Sequence, residues 1–159
     1  MIDRSGSARL ADFGFLTMVP DPSSSITQGG TIRWMSPELI RPENFGFESS
    51  RPTKESDSYA LGMVILEVLS DQVPFAGDTF YAVIMKVTEG ERPKRPHGAW
   101  FTDDLWETLG WCWSPKPEAR PTIEAVLKCL EWQSLRPNAD SDRATYGTGL
   151  TSTSSFYCA

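Results

Sequence analysis

Apolar residues recur at helical spacing in four stretches after residue 55, and this pattern predicts four helices. The first is expected to start with Ser56 or Asp57 as its cap and to run to about Ser70. Its residues are apolar on most faces. A helix of this kind belongs in the middle of a core, so it is predicted to be the central buried helix.

The other three helices are predicted from an apolar stripe that follows a polar residue able to cap a helix. Asp78 is expected to cap the second helix and Gly90 to end it, while Thr102 opens the third. Thr122 opens the fourth and Pro137 stops it. The predicted inward stripes are Phe80, Ile84 and Val87, then Leu105, Trp106, Leu109 and Trp113, then Ile123, Val126, Leu127 and Leu130.

The two ends of the chain have a different pattern from the helical part. Residues 8–11 follow a turn-forming stretch, which predicts a short N-terminal β-hairpin. Residues 19–30 hold two prolines, three consecutive serines and two glycines, so a long loop is expected there. Residues 136–159 are rich in Ser and Thr and poor in large apolar residues, which predicts a disordered tail. The expected fold is therefore a mainly α domain over residues 1–135.

Composition narrows the classes of function. A length of 159 residues fits one domain, and a net charge of −6 argues against nucleic acid or an anionic membrane as the main partner. The three cysteines form no CxxC pair and the only histidine is His97, so a structural zinc site is not expected. An odd cysteine count without a secretory signal or a long apolar run favours an intracellular, cytoplasmic protein outside the membrane.

Four motifs follow one another along the chain at a characteristic spacing. Asp12-Phe13-Gly14 comes first, and Ser36-Pro37-Glu38 closes the segment of residues 30–38. Asp57 with Gly62 then opens the apolar helix, and a tryptophan-rich stretch leads to Arg120. This ordered set resembles the C-terminal lobe of a protein kinase, and is most similar to the tyrosine-kinase-like group, over about residues 2–135.

The resemblance implies a helical kinase C-lobe whose activation segment covers residues 12–38, with Mg-ATP as cofactor and a protein substrate or regulatory partner. Asp12 would bind the Mg²⁺ that bridges the ATP phosphates, Phe13 would pack inward, and Gly14 would allow the backbone to turn. Thr31 lies where kinases shape the pocket for the substrate hydroxyl. The alternative for Thr31 is a turn residue with a satisfied hydroxyl.

Three further residues have a framework role in the family. The resemblance implies that Glu38 and Arg120 form a buried ion pair that ties the activation segment to the helical core. Asp57 would accept backbone hydrogen bonds from the catalytic loop.

The loop of residues 19–30 carries hydroxyl groups that a kinase could phosphorylate. A phosphate there could order the loop against Arg9 or Arg33, and an unmodified, solvated loop is the alternative. The candidate sites are Ser23, Ser24, Ser25 and Thr27.

Several parts of a kinase catalytic domain have no counterpart in this sequence. The glycine-rich loop, the strand lysine and the catalytic Asp and Asn are missing, which suggests a chain truncated just after the catalytic Asn. The first hypothesis is a fragment of a Ser/Thr kinase, inactive alone and unable to bind Mg-ATP alone, with Tyr specificity left open. The alternative is a non-catalytic, pseudokinase-like interaction module that binds a partner through residues 78–89.

Overall fold

The computed structural model describes residues 4–7 and 32–134, and its regular structure there is helical. The α-helices are α1 (Pro37–Ile40), α2 (Lys54–Ser70), α3 (Phe80–Thr88), α4 (Asp103–Cys112) and α5 (Ile123–Ser134). Short 3-10 helices cover Ile32–Trp34, Pro42–Phe45 and Pro117–Ala119. The mainly α prediction is therefore confirmed for these ranges, which contain no strand. The predicted hairpin, the loop of residues 19–30, Pro137 and the tail lie outside the described residues.

Helix α2 is the central element of the described fold, as the sequence predicted. It packs against α4, α5 and the 3-10 helices Ile32–Trp34 and Pro117–Ala119. Tyr59 and Met63 have no exposed surface. The expectation that α2 is buried on most faces was wrong on one side, where Val64 is 43% exposed and Val68 74%. Val64 and Val68 therefore lie on a solvent-exposed side of α2.

The N-terminus of α2 differs from the prediction because a capping box forms earlier in the chain. Thr53 is the N-cap, and its side chain accepts a hydrogen bond from the backbone N–H of Ser56 at 3.2 Å. The backbone N–H of Thr53 in turn donates to Ser56 Oγ at 2.9 Å. This reciprocal pair satisfies two N–H groups that the helix itself cannot satisfy. Ser56 and Asp57 therefore lie in the first turn rather than at the cap.

The cap of α3 also differs from the prediction, whereas those of α4 and α5 agree with it. Thr79 caps α3 by accepting from the backbone N–H of Ala82, and the Asp78 carboxylate binds Lys86 instead. Thr102 and Thr122 accept from the backbone N–H groups three residues on, at 3.2 Å each. A threonine hydroxyl suffices for this role, and Asp78 lies one residue before the cap of α3.

The contact between α2 and α4 forms the middle of the core. Leu105, Leu109, Cys112 and Trp113 are all buried, and the Trp113 ring packs edge-on against Trp106 with 5.5 Å between centroids. Gly62 makes this contact possible. A Cβ at that position would lie 2.7 Å from Trp113 Nε1 and 2.9 Å from Cys112 Cβ.

The predicted stripe of α5 is only partly correct. Val126 is fully buried and Leu130 packs against the core, but Ile123 is 40% exposed and Leu127 53%. The main contacts of α5 in the described ranges are with α2 and α4, so a narrow face of the helix is enough to fill the space beside them. No helix in the described ranges is long and apolar enough to span a membrane.

Candidate functional site

The candidate site is the place where residues 32–38 meet the helical core. This segment starts with the 3-10 helix Ile32–Trp34, whose Ile32 is buried, and ends in α1. The N–H of Met35 bonds the carbonyl of Ile32 at 3.2 Å, which closes the turn between the two helices. The predicted sites Asp12, Phe13, Gly14, Thr31, Ser23, Ser24, Ser25 and Thr27 lie outside the described residues, as does Arg9, and they stay predictions.

A two-armed ion pair joins Glu38 of α1 to Arg120, which follows the last 3-10 helix. Nη1 of Arg120 donates to Oε1 of Glu38 at 2.6 Å, and Nη2 donates to Oε2 at 2.8 Å. The arginine side chain is 0% exposed and the glutamate side chain 3%. Two further bonds run from Arg120 to the carbonyls of Ser114 and Glu55, at 3.0 and 3.1 Å. Arg120 therefore ties α1 to the start of α2 and to the loop after α4.

The environment of Glu38 keeps its carboxylate ionised. Burial raises the pKa of Glu38, but the hydrogen bonds from Arg120, further hydrogen bonds to the carboxylate and the positive charge of Arg120 together outweigh that effect and hold the pKa below its usual value of 4.5. A charged carboxylate accepts both arms of the guanidinium, which is the strongest geometry for such a pair. The pair is therefore formed at neutral pH.

Two residues near this pair could not have been picked out by motif alone. The guanidinium of Arg120 lies 5.2 Å from the ring centroid of Tyr59, and that of Arg92 lies 5.5 Å from it. Arg92 also donates to the carbonyl of Trp113 at 2.9 Å. Burial raises the pKa of Tyr59 to about 12, so its hydroxyl stays neutral. The only sequence signal was that Tyr59 lies on the apolar side of its helix.

The structure gives Arg33 a different partner from the phosphate that the sequence suggested. Its Nη1 donates to the carbonyls of Pro74 and Phe75 at 2.8 and 2.6 Å, and its Nη2 to that of Asp78 at 2.7 Å. Next to it, Trp34 Nε1 donates to Glu67 of α2 at 2.9 Å. Arg33 thus bonds the loop between α2 and α3, and its suggested pairing with a phosphate on residues 19–30 stays a prediction.

The remaining candidates lie at the surface. Asp57 is exposed in the first turn of α2, at the helix end that Arg120 holds through the Glu55 carbonyl. His97 is exposed in the loop before α4. Among the residues described, no three His, Cys, Asp or Glu side chains are grouped so that they could hold a metal ion.

Comparison with known proteins adds an independent finding. The sequence matches the family described as Protein kinase domain over residues 1–131. A serine/threonine-protein kinase/receptor of Acanthamoeba polyphaga mimivirus is 35% identical over 130 residues, which is 82% of this chain and 7% of that protein.

Kinases of both specificities are among the other relatives. The serine/threonine-protein kinase drkD of Dictyostelium discoideum is 29% identical over 131 residues, 82% of this chain and 9% of that protein. The tyrosine-protein kinase Src64B of Drosophila melanogaster is 29% identical over 134 residues, 82% of this chain and 23% of that protein. The chain thus spans less than a tenth of the mimivirus and Dictyostelium relatives.

Proposed function

Because this chain belongs to the protein kinase domain family, we propose that it forms the helical, substrate-side part of a kinase catalytic domain. The reaction of that domain would transfer the γ-phosphate of ATP to a hydroxyl group of a protein. The observation that carries the proposal is the buried pair of Glu38 and Arg120. It anchors residues 32–38 to the helical core at two charged bonds of 2.6 and 2.8 Å.

The role of the described residues in this reaction is positioning. Phosphoryl transfer is catalysed mainly by holding nucleotide, metal and acceptor in place, so a rigid platform on the substrate side contributes directly. Arg33, Trp34 and Glu38 attach one short segment to three different parts of the helical core. Thr31 precedes that segment and would shape the pocket for the acceptor hydroxyl.

Asp12 would be the residue of this chain that contacts the nucleotide's metal. The Mg²⁺ ion, when bound, neutralises charge on the phosphates. Asp12 would hold it through its carboxylate, with Phe13 and Gly14 setting the direction of that side chain.

The 159 residues alone are proposed not to transfer phosphate. They include no His-Arg-Asp motif and no glycine-rich loop, so the base and the cover over the phosphates would have to come from other residues. A single carboxylate binds Mg²⁺ weakly, since this ion keeps most of its waters. We therefore expect no measurable binding of Mg-ATP to this chain alone.

Ser/Thr specificity is the version of the proposal that we favour. Gly30 and Thr31 form the pair of residues that suggested it, and the relative with 35% identity carries a serine/threonine kinase name. Tyr specificity is the competing version, because Src64B matches the same part of the chain at 29% identity.

The test is a transfer assay on this chain and on a protein extended by any coding sequence found in frame before Met1. The purified chain, Mg-ATP and a mixed Ser, Thr and Tyr peptide library should give no labelled peptide. The longer protein should label Ser or Thr peptides, and Asp12→Asn should abolish this because an amide cannot neutralise Mg²⁺. A stop codon directly upstream of Met1, or transfer that survives Asp12→Asn, would contradict the proposal.

A non-catalytic interaction module is the second candidate, and one observation favours it. On α3, Tyr81 is 78% exposed and Met85 46%, so this helix presents an aromatic ring and a flexible apolar side chain to solvent. If the chain is such a module, Tyr81→Ser should abolish partner binding while the melting temperature stays unchanged. A pull-down with the unchanged chain and with Tyr81→Ser measures this. If the chain is a kinase fragment without this role, the two proteins should retain the same partners.

A further inference from the structure

The guanidinium of Arg33 is bound by backbone carbonyls rather than by a carboxylate. Its three acceptors are the carbonyl oxygens of Pro74, Phe75 and Asp78, at 2.8, 2.6 and 2.7 Å. All three belong to the loop that connects α2 to α3. The planar fork of arginine can bond several carbonyls at once, whereas a lysine ammonium offers a compact point charge. The geometry of the site therefore fits an arginine better than a lysine.

The loop that binds Arg33 has an unfavourable backbone conformation of its own. Phe75 has a φ of 56°, in the left-handed region that a residue with a side chain rarely adopts. Such a conformation persists only where its surroundings hold it. The N–H of Asp78 closes the turn by bonding the carbonyl of Phe75 at 3.0 Å. Because the three carbonyls converge on one place, their partial negative charges repel one another unless a donor group lies between them.

The contacts of neighbouring residues extend this connection to two helices. Trp34 Nε1 donates to Glu67 Oε2 of α2 at 2.9 Å. On the other side, the Asp78 carboxylate accepts two bonds from Lys86 of α3, at 2.8 and 2.7 Å. The 3-10 helix Ile32–Trp34 is thus tied to α2 directly and to α3 through the loop.

We propose that Arg33 is a positioning residue that makes the loop of residues 74–78 part of the substrate-binding wall of the kinase. By holding loop and segment together, Arg33 fixes the residues that follow Thr31 in the place where a protein substrate contacts them. This inference rests on the proposed function, because the wall matters only if a protein substrate binds there.

The first arm of the test measures backbone hydrogen exchange in the 159-residue chain with Arg33→Lys. The informative amides are those of Asp78 and Met35, which bond the carbonyls of Phe75 and Ile32. Both should exchange about tenfold faster or more in the variant, since loss of the fork frees both elements together. Unchanged exchange at either amide would overturn the coupling.

A matched control separates this effect from the general loss of an arginine. Arg41 lies nearby after α1, and its Nη2 contacts Met85 Sδ at 3.9 Å, a weak interaction. Arg41→Lys should leave the exchange of both reporter amides at the level of the unchanged protein. Equal acceleration in Arg41→Lys and Arg33→Lys would count against a specific role of the carbonyl cradle.

The second arm measures steady-state kinetics of the longer kinase with Arg33→Lys. The KM for a protein substrate should rise about threefold to tenfold, while kcat and the KM for ATP stay unchanged. A fall in kcat with no change in the protein KM would mean a purely structural role and would overturn the proposal. If the unaltered longer protein transfers no phosphate, the proposed function fails, and the exchange of Asp78 and Met35 still decides whether Arg33 couples loop and segment.

Discussion

Two junctions hold residues 32–38 in place, and each contains a short ion pair, but the two pairs lie at very different depths. The inner junction consists of Glu38, Arg120 and Tyr59, and the outer junction of Arg33, Asp78 and Lys86. In the inner junction the paired side chains are 0% and 3% exposed, whereas Lys86 and Asp78 of the outer junction are 36% and 26% exposed. The shortest ion-pair contacts are nearly equal, at 2.6 and 2.7 Å. Contact distance therefore does not distinguish the contributions of the two junctions to stability, whereas the burial of their charged side chains does.

The difference in depth has a direct energetic meaning. Charges at the surface are screened by water and salt, so an exposed pair contributes little to stability. A buried pair has lost its hydration, and removing one partner leaves the other charge without any compensation. The inner junction is thus the place where a single substitution unfolds the platform, and the outer junction the place where a substitution adjusts it.

The largest expected effect comes from removing the inner cation. Arg120→Met should lower the free energy of unfolding by about 3–5 kcal/mol, because Glu38 then stays buried and unpaired. Urea denaturation monitored by the fluorescence of the tryptophans measures this. Arg95→Met is the control, since Arg95 pairs with Asp103 at the same 2.6 Å but that carboxylate is 89% exposed. Equal losses in the two variants would remove the distinction between the junctions.

A second, smaller effect tests the packing behind the inner junction. Gly62→Ala should cost about 1–3 kcal/mol of unfolding free energy, because the new Cβ would approach Trp113 Nε1 and Cys112 Cβ too closely. Gly110→Ala in α4 is the matched control. A Cβ at Gly110 meets no atom within 4 Å, so this variant should instead gain up to about 1 kcal/mol from helix propensity. The same sign for both variants in thermal unfolding would contradict the close approach of α2 and α4.

A third effect appears as acid dependence of the inner junction. The folded pKa of Glu38 lies below its usual value of 4.5, so the folded state binds its proton less readily than the unfolded state. The stabilisation is therefore present above about pH 4.5 and is lost as the pH falls through the folded pKa. Stability curves from pH 7 to pH 3 should be less steep below pH 4.5 for Glu38→Gln than for the unchanged protein. Other carboxylates with a lowered pKa, among them Glu55 and Glu124, contribute equally to the stability curves of both proteins. If the two curves had the same slope below pH 4.5, that result would argue against an ionised Glu38 paired with Arg120.

The smallest effect is expected at the outer junction. The hydrogen bond with Asp78 raises the pKa of Lys86, but this ammonium is solvated, so Lys86→Met should lower the melting temperature far less than Arg120→Met does. Raising the salt concentration should shrink the remaining difference between Lys86→Met and the unchanged protein. A salt-independent loss as large as that of Arg120→Met would show that the outer junction is as dry as the inner one.

Sequence alone predicted the features of the fold that depend on neighbours within a few residues. Thr102 and Thr122 cap their helices because a hydroxyl needs only the N–H three residues on. The buried stripe of α4 also follows from its own periodicity. However, several neighbouring residues can each be able to cap the same helix. Thr53 displaced Ser56 and Asp57 as the cap of α2 because a reciprocal pair satisfies two N–H groups at once.

Tertiary structure decided the features that depend on residues far apart in the chain. Glu38 and Arg120 are separated by 82 positions, and their pairing followed from family resemblance rather than from any local pattern. No local pattern indicated that Arg33 would bond three carbonyls of a loop 41 to 45 residues away. Likewise, Val68 and Leu127 belong to apolar stripes yet remain exposed. A side chain's own sequence limits what it can bond, but the partner that reaches it first in the folded chain determines what it does bond.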